Sequence, residues 1–193
     1  YWMKKIVGRL KRGVYPDHFG LANQMFQISM AYAYAKRNNL KPVFPELRQT
    51  NVCGPYLETV FRNLDTSGMI ADFEGRHVKQ DVFVNLVETN YYQDAVNESN
   101  AETFFVMSND VDFATEWFAS NFPEKNMIFP NDDEVFEMYL MSMCDEVIMA
   151  NSSFSWWGSY LGKEKKTFAP KEWFMPNSIV NYESIYRDDW RVL

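Results

Sequence analysis

Cysteine and histidine are scarce: the 193 residues contain two cysteines, Cys53 and Cys144, and two histidines, His18 and His77. So few thiols exclude a disulfide scaffold, and no Cys/His metal set is visible. Asp110, Asp112, Asp132 and Asp133 could be grouped as a carboxylate cluster, but helix first-turn carboxylates explain three of them more simply, and no metal is expected. Cys144 lies in an apolar helical pattern, which predicts a buried thiol.

A basic surplus is also lacking. Lys and Arg number 19 against 26 Asp and Glu, and the net charge of −7 excludes a nucleic-acid binder that needs a broad cationic face. One basic cluster, Lys4, Lys5, Arg9, Lys11 and Arg12, reads as a solvated N-terminal face, with an acidic membrane surface as its alternative. No apolar run approaches the roughly 18 residues of a membrane span. No secretory signal is evident, so the expected place is the cytoplasm, with peripheral attachment at the inner membrane as the variant. Neither GxGxxG nor GxxxxGK[ST] occurs, and GxSxG is missing as well.

What the chain has is apolar and aromatic: 47% hydrophobic residues and 17% Phe, Trp and Tyr, enough for a packed core. Residues 21 to 38 place Leu21, Met25, Ile28, Tyr32 and Ala35 at helical spacing and close on Lys36 and Arg37, predicting an amphipathic helix with a cationic last turn. A short strand follows at 42–45, and a short helix near 56–63. The second half alternates regularly: strand 104–108; helix 112–121 with Phe113, Trp117 and Phe118 inward; strand 126–129; a capped helix from Asn131-Asp132-Asp133-Glu134 through Met143; strand 147–150; helix 155–161; strand 167–169. Such alternation predicts βαβ units and a parallel sheet, with ligands beyond the carboxyl ends of the strands. Two polar loops fall at such ends, Ser108-Asn109-Asp110 and Asn151-Ser152-Ser153-Phe154-Ser155. The second passes straight into Trp156-Trp157-Gly158, so it reads as a strand, a tight loop and a helix opening whose N–H groups attract an anion.

Several segments together resemble the bacterial-type α-1,2-fucosyltransferases, glycosyltransferase family 11. Phe19 to Gln27 is similar to that family's Gly-rich turn and helix, Phe105 to Asp110 followed by Trp117 to its strand with a Ser-Asp-Asp end, and Asn151 to Gly158 with the 166–173 tail to its C-terminal signature. The resemblance implies an α/β protein of the GT-B type, with a reduced N-terminal, acceptor-side lobe at 1–76 and a Rossmann-like donor lobe at 77–193. It implies inverting, metal-independent transfer of fucose from GDP-fucose to the 2-hydroxyl of a galactoside, with no cofactor beyond that donor and a galactose-containing glycan as the other partner.

The residues carried over as substrate-binding are Asn23, Gln24, His77, Lys79, Ser108, Asn109, Asp110, Asn151, Ser152, Ser153, Phe154 and Ser155. The amides at 152–155 and the hydroxyls of Ser153 and Ser155 are expected to meet the donor phosphates. The general base stays open among Asp17, His18 and Asp81. Where the family has His-x-Arg-Arg-x-Asp, this chain has His77-Val78-Lys79-Gln80-Asp81, and lysine offers a point charge instead of a planar fork. Family members are longer, and the shortfall falls between about Pro45 and His77. A second reading is therefore a non-catalytic nucleotide-sugar-binding remnant of the family.

Overall fold

The computed structural model describes residues 5–7, 21–43, 56, 59–64, 85–162, 165–175 and 182–193. The chain divides into two compact units, Tyr1–Val78 and Lys79–Leu193.

In the first unit β1 (Lys5–Val7) pairs in parallel with β2 (Lys41–Val43), Lys5 opposite Lys41, and α1 (Leu21–Arg37) lies between them in sequence. Helix α1 buries Leu21, Ala22, Ile28, Ala31 and Ala35. Tyr32 was expected on that face but is 43% exposed, because the stripe runs 28, 31, 35 and Tyr32 sits about 100° round the helix from Ala31. Lys36 and Arg37 occupy the last turn, favourable beside the negative end of the helix dipole. Asn39 then takes a left-handed φ of 52°, and the Leu40 amide donates back to the Ala35 carbonyl at 2.8 Å, ending the helix. Where a short helix was expected, the described residues at 59–64 form turns, with Phe61 and Leu64 packed on Ile28 and Ala31.

The second unit carries the alternation. A 3-10 turn at Leu86–Glu88 and α2 (Tyr91–Glu98) precede β3 (Thr103–Phe105), which pairs in parallel with β4 (Asn126–Ile128) across α3 (Val111–Asn121). Helix α4 (Glu134–Met143) leads to β5 (Glu146–Ile148), α5 (Ser153–Leu161), β6 (Lys166–Ala169), a 3-10 turn at Glu183–Ile185 and β7 (Arg191–Val192), with strand order β5-β6-β7, all parallel. Instead of one continuous sheet, the described residues form two in this unit: β3 pairs only with β4, and β5 only with β6. In a doubly wound sheet of order 3-2-1-4-5-6 these would be the 3-2 and 4-5-6 portions, an arrangement consistent with a Rossmann-like lobe. A cleft of about 730 Å³ lies between β3 and β5.

Helix starts follow local chemistry. Asp110 accepts from the Phe113 amide at 3.2 Å, Asp133 from Val135 and Phe136 at 2.9 Å each, and Ser152 from Phe154 at 3.1 Å. Strand β6 buries Thr167, Phe168 and Ala169, as a strand covered on both faces should. Met149 and Ala169 form a core with Trp173 and Trp190, against which Trp156, Ile185 and Tyr186 pack.

Two expectations about side chains are corrected. Phe113 is 49% exposed rather than inward, because the buried position of α3 is Ala114, with Trp117 and Phe118 half-buried beside it. Cys144 is half-buried at the end of α4, its thiol donating to the Leu140 carbonyl at 3.4 Å, and desolvation raises its pKa. Among the described residues no helix is long and apolar enough to cross a membrane.

Candidate functional site

The best-built feature of the second unit is the passage from β5 into α5. The chain leaves the sheet after Ile148, and its next carbonyls are taken up internally. The Ser155 hydroxyl donates to the Ala150 carbonyl at 2.8 Å and lies 3.1 Å from that of Ser152, which also receives the Trp156 amide at 3.0 Å. The Asn151 side-chain amide donates to the Trp173 carbonyl at 3.1 Å, tying the loop to the segment after β6. The Ala150 and Ser152 carbonyls are thus taken up within the opening itself, the Phe154 amide is taken by the Ser152 hydroxyl, and the Ser155 N–H has no acceptor among the described residues. Helix α5 has no acidic residue in its first turn, so no carboxylate there opposes an anion at its positive end.

The second polar loop lies at the end of β3. There the Ser108 hydroxyl accepts from the Asp110 amide at 3.0 Å, and Asp110 caps α3. Asn109 is exposed. Ser108, Ser152, Phe154 and Ser155 all line the cleft between β3 and β5, so the two loops singled out from the sequence open on one space. Asn109, Asp110, Asn151 and Ser153 stand beside it without lining it.

Away from this rim the cleft is lined by apolar Val96, Phe104, Trp117 and Met141 and, at the start of β5, by the carboxylates Asp145 and Glu146. Among the described residues no Lys, Arg or His lines it. Lys165 is turned elsewhere: its ammonium donates to the carbonyls of Met141 and Ser142 at 2.8 and 3.0 Å, closing the end of α4, and burial lowers its pKa. With the Phe154 amide taken by Ser152, what this rim offers an anion is the Ser155 N–H and the helix dipole. The Ser155 hydroxyl, expected to meet phosphate, is occupied by Ala150 and Ser152, and the residue is buried.

Asn23, exposed, and Gln24, half-buried, lie in the first turn of α1 in the other unit. Asp17, His18, His77, Lys79 and Asp81 lie outside the described residues. Reading the sequence also missed two groups that hold the α5 opening, the Trp173 carbonyl and the Tyr91 hydroxyl, because each reaches it from distant sequence.

The model of glycosyl transferase family 11 matches residues 70–193. An Escherichia coli O-antigen biosynthesis glycosyltransferase, WbnK, is 30% identical over 118 residues, covering 56% of this chain and 37% of the relative. An alpha-1,2-colitosyltransferase of Escherichia coli is 30% identical over 206 residues, covering 94% of this chain and 63% of the relative. The chain thus spans less than two thirds of either relative's length. No solved structure matches.

Proposed function

The chain belongs to glycosyl transferase family 11, and on that premise we propose that it carries an inverting, metal-independent transfer of fucose from GDP-fucose to the 2-hydroxyl of a galactoside. In this reading residues 77–193 are the donor lobe of a GT-B protein and 1–76 a reduced acceptor lobe. The single observation that carries it is the α5 opening, whose Ser152, Phe154 and Ser155 line a cleft at the carboxyl end of β5 with the helix's positive end beside it. The "alpha-1,2" in one relative's name supports a 2-hydroxyl as acceptor, and its colitosyl group makes a colitosyl nucleotide the second donor to try.

The acceptor oxygen attacks the anomeric carbon of the donor sugar, the bond from that carbon to the diphosphate oxygen breaks, and GDP leaves with the electron pair. The acceptor proton goes to a base, for which Asp17, His18 and Asp81 are the candidates. Negative charge grows on the departing diphosphate, so the Ser155 N–H and the positive end of α5 act where they matter most, while the Phe154 amide, expected to join them, is held by the Ser152 hydroxyl. Ser108 and Asn109 on the opposing loop, and His77 and Lys79 from the family-like motif, complete the proposed donor contacts; Asn23 and Gln24 are the contribution of α1.

Isothermal calorimetry with GDP and GDP-fucose, followed by turnover on a galactoside, tests this. Heat with both and fucosylated product are expected. Absence of heat with either ligand sinks the reading. Binding without product selects the second reading, a non-catalytic nucleotide-sugar-binding member, which the replacement of the family's two arginines by Lys79 and Gln80 favours.

A further inference from the structure

Strand β6 runs into a proline, and the consequence falls on the α5 opening. Strands β5 and β6 pair in parallel with Ile148 opposite Phe168, which puts Met149 opposite Ala169. In a parallel ladder a residue's N–H and C=O bond the neighbours on either side of its opposite number. The Met149 amide accordingly donates to the Phe168 carbonyl at 2.9 Å. The Met149 carbonyl should accept from residue 170, but that residue is Pro170, which has no N–H. Met149 and Pro170 are both fully buried, so water does not supply the missing donor.

Tyr91 supplies it. From the first turn of α2 its buried hydroxyl lies 2.7 Å from the Met149 carbonyl and 2.9 Å from that of Phe168. One phenolic proton shared between two carbonyls closes the ladder where the proline opens it. Desolvation raises the phenol pKa, so the donor keeps its proton. Met149 is two residues from Asn151, and its peptide aims the chain that becomes the 150–155 loop. We propose that Tyr91 is the positioning residue of the α5 opening, its hydroxyl standing in for the N–H that Pro170 lacks and so orienting the amides at 152–155. As a statement about donor binding this rests on the function proposed above; as a statement about the loop it does not.

The experiment is a Tyr91→Phe, Pro170→Ala cycle read by amide hydrogen exchange at 150–156 and by GDP calorimetry. Tyr91→Phe removes one oxygen and leaves the Met149 carbonyl without a donor; exchange at 150–156 is expected to quicken about tenfold relative to α3, and GDP affinity to fall about fivefold or more. Adding Pro170→Ala restores an N–H opposite that carbonyl, and both readouts are expected to move back toward the parent protein. Tyr186→Phe removes another part-buried phenol of the same unit, one that donates to the Pro170 carbonyl at 2.6 Å, and is expected to leave exchange at 150–156 unchanged. Unaltered exchange in Tyr91→Phe, or an effect that Pro170→Ala does not relieve, overturns the proposal. If Tyr91→Phe does not fold, the double variant is expected to fold, and one no better folded overturns it equally. If the parent protein binds no GDP, the functional reading fails, and the exchange arm still decides the role of Tyr91.

Discussion

The indole N–H of Trp156 donates to the carbonyl of Ile185 at 2.7 Å, joining the first turn of α5 to a 3-10 turn 29 residues further along the chain. The same ring stacks on Tyr160 at 4.8 Å and 12° and meets Trp190 edge-on at 5.9 Å. The helix that opens the candidate site is thus held from behind by the C-terminal segment. Trp156→Phe keeps an aromatic ring but strands the Ile185 carbonyl, and stability is expected to fall by about 1–2 kcal/mol. For a protein of this size that corresponds to about 2–4 °C in Tm per kcal/mol, checked by thermal melting. An unchanged Tm would show that this bond contributes nothing net.

Neighbouring loop residues at the end of β3 should part company on mutation. Asp110 caps α3 through the Phe113 amide, whereas Asn109 is exposed and makes no bond among the described residues. Asp110→Ala is expected to cost about 1 kcal/mol. Asn109→Ala should stay within about 0.5 kcal/mol of the parent. Urea midpoints of the two variants check this, and equal costs would contradict the assignment of the cap.

Gly158 makes the packing of α4 on α5 close. A Cβ built there would stand 3.0 Å from the Met141 Cβ and 2.7 Å from its Cγ, and would overlap its Sδ. In an exposed helix Gly→Ala gains about 1 kcal/mol of propensity. Here the Met141 Cβ is anchored to its own helix, and overpacking costs about 1–3 kcal/mol, so Gly158→Ala is expected to destabilise. Urea unfolding decides the sign.

Alkaline pH should destabilise this unit. Burial raises the pKa of Tyr91, and pushes those of Tyr92 and Tyr186 up to about 12 from an ordinary 10.0. The unfolded chain releases these protons near pH 10 while the folded chain still holds them, so in that window the unfolded state binds fewer protons. Their contribution to stability is therefore complete below pH 10 and lost as pH rises toward about 12. Urea midpoints measured across that range, with phenolate absorbance on the same samples, check it. A flat stability profile from pH 10 to 12 would refute the burial of these phenols.

Much of the second unit was legible because its signals are local. The polar run Asn131 to Glu134 and the apolar positions after it mark α4, although the cap is Asp133 rather than an Asn131–Glu134 capping box, and an apolar strand breaking into Asn-Ser-Ser marks the start of α5 within two residues of where it lies. Helix α2 was missed. Asn90 makes no side-chain cap bond there, and only Tyr91, Ala95 and Val96 are buried along its eight residues, too few for a clear period. Tyr32 and Phe113 were placed inward because three- and four-residue spacings admit two neighbouring stripes, and the smaller Ala31 and Ala114 occupy the packed ones. For the site, both polar loops could be located since each ends a strand. Which of their side chains point inward could not be read, since the partners of Asn151 and Ser155 depend on how the loop folds back.

From the sequence alone came the family, the alternation of strands and helices in the second half, the capped helix starts and the two polar loops, all set by chemistry acting over a few neighbouring residues. Tertiary structure alone decided that these loops share one cleft between β3 and β5. It also decided that the Ser155 hydroxyl serves the loop's own carbonyls, and that a phenol 58 and 77 residues away completes a ladder that Pro170 leaves open. A buried carbonyl requires a donor from whatever the fold brings within about 3 Å, and no local pattern specifies which residue that is.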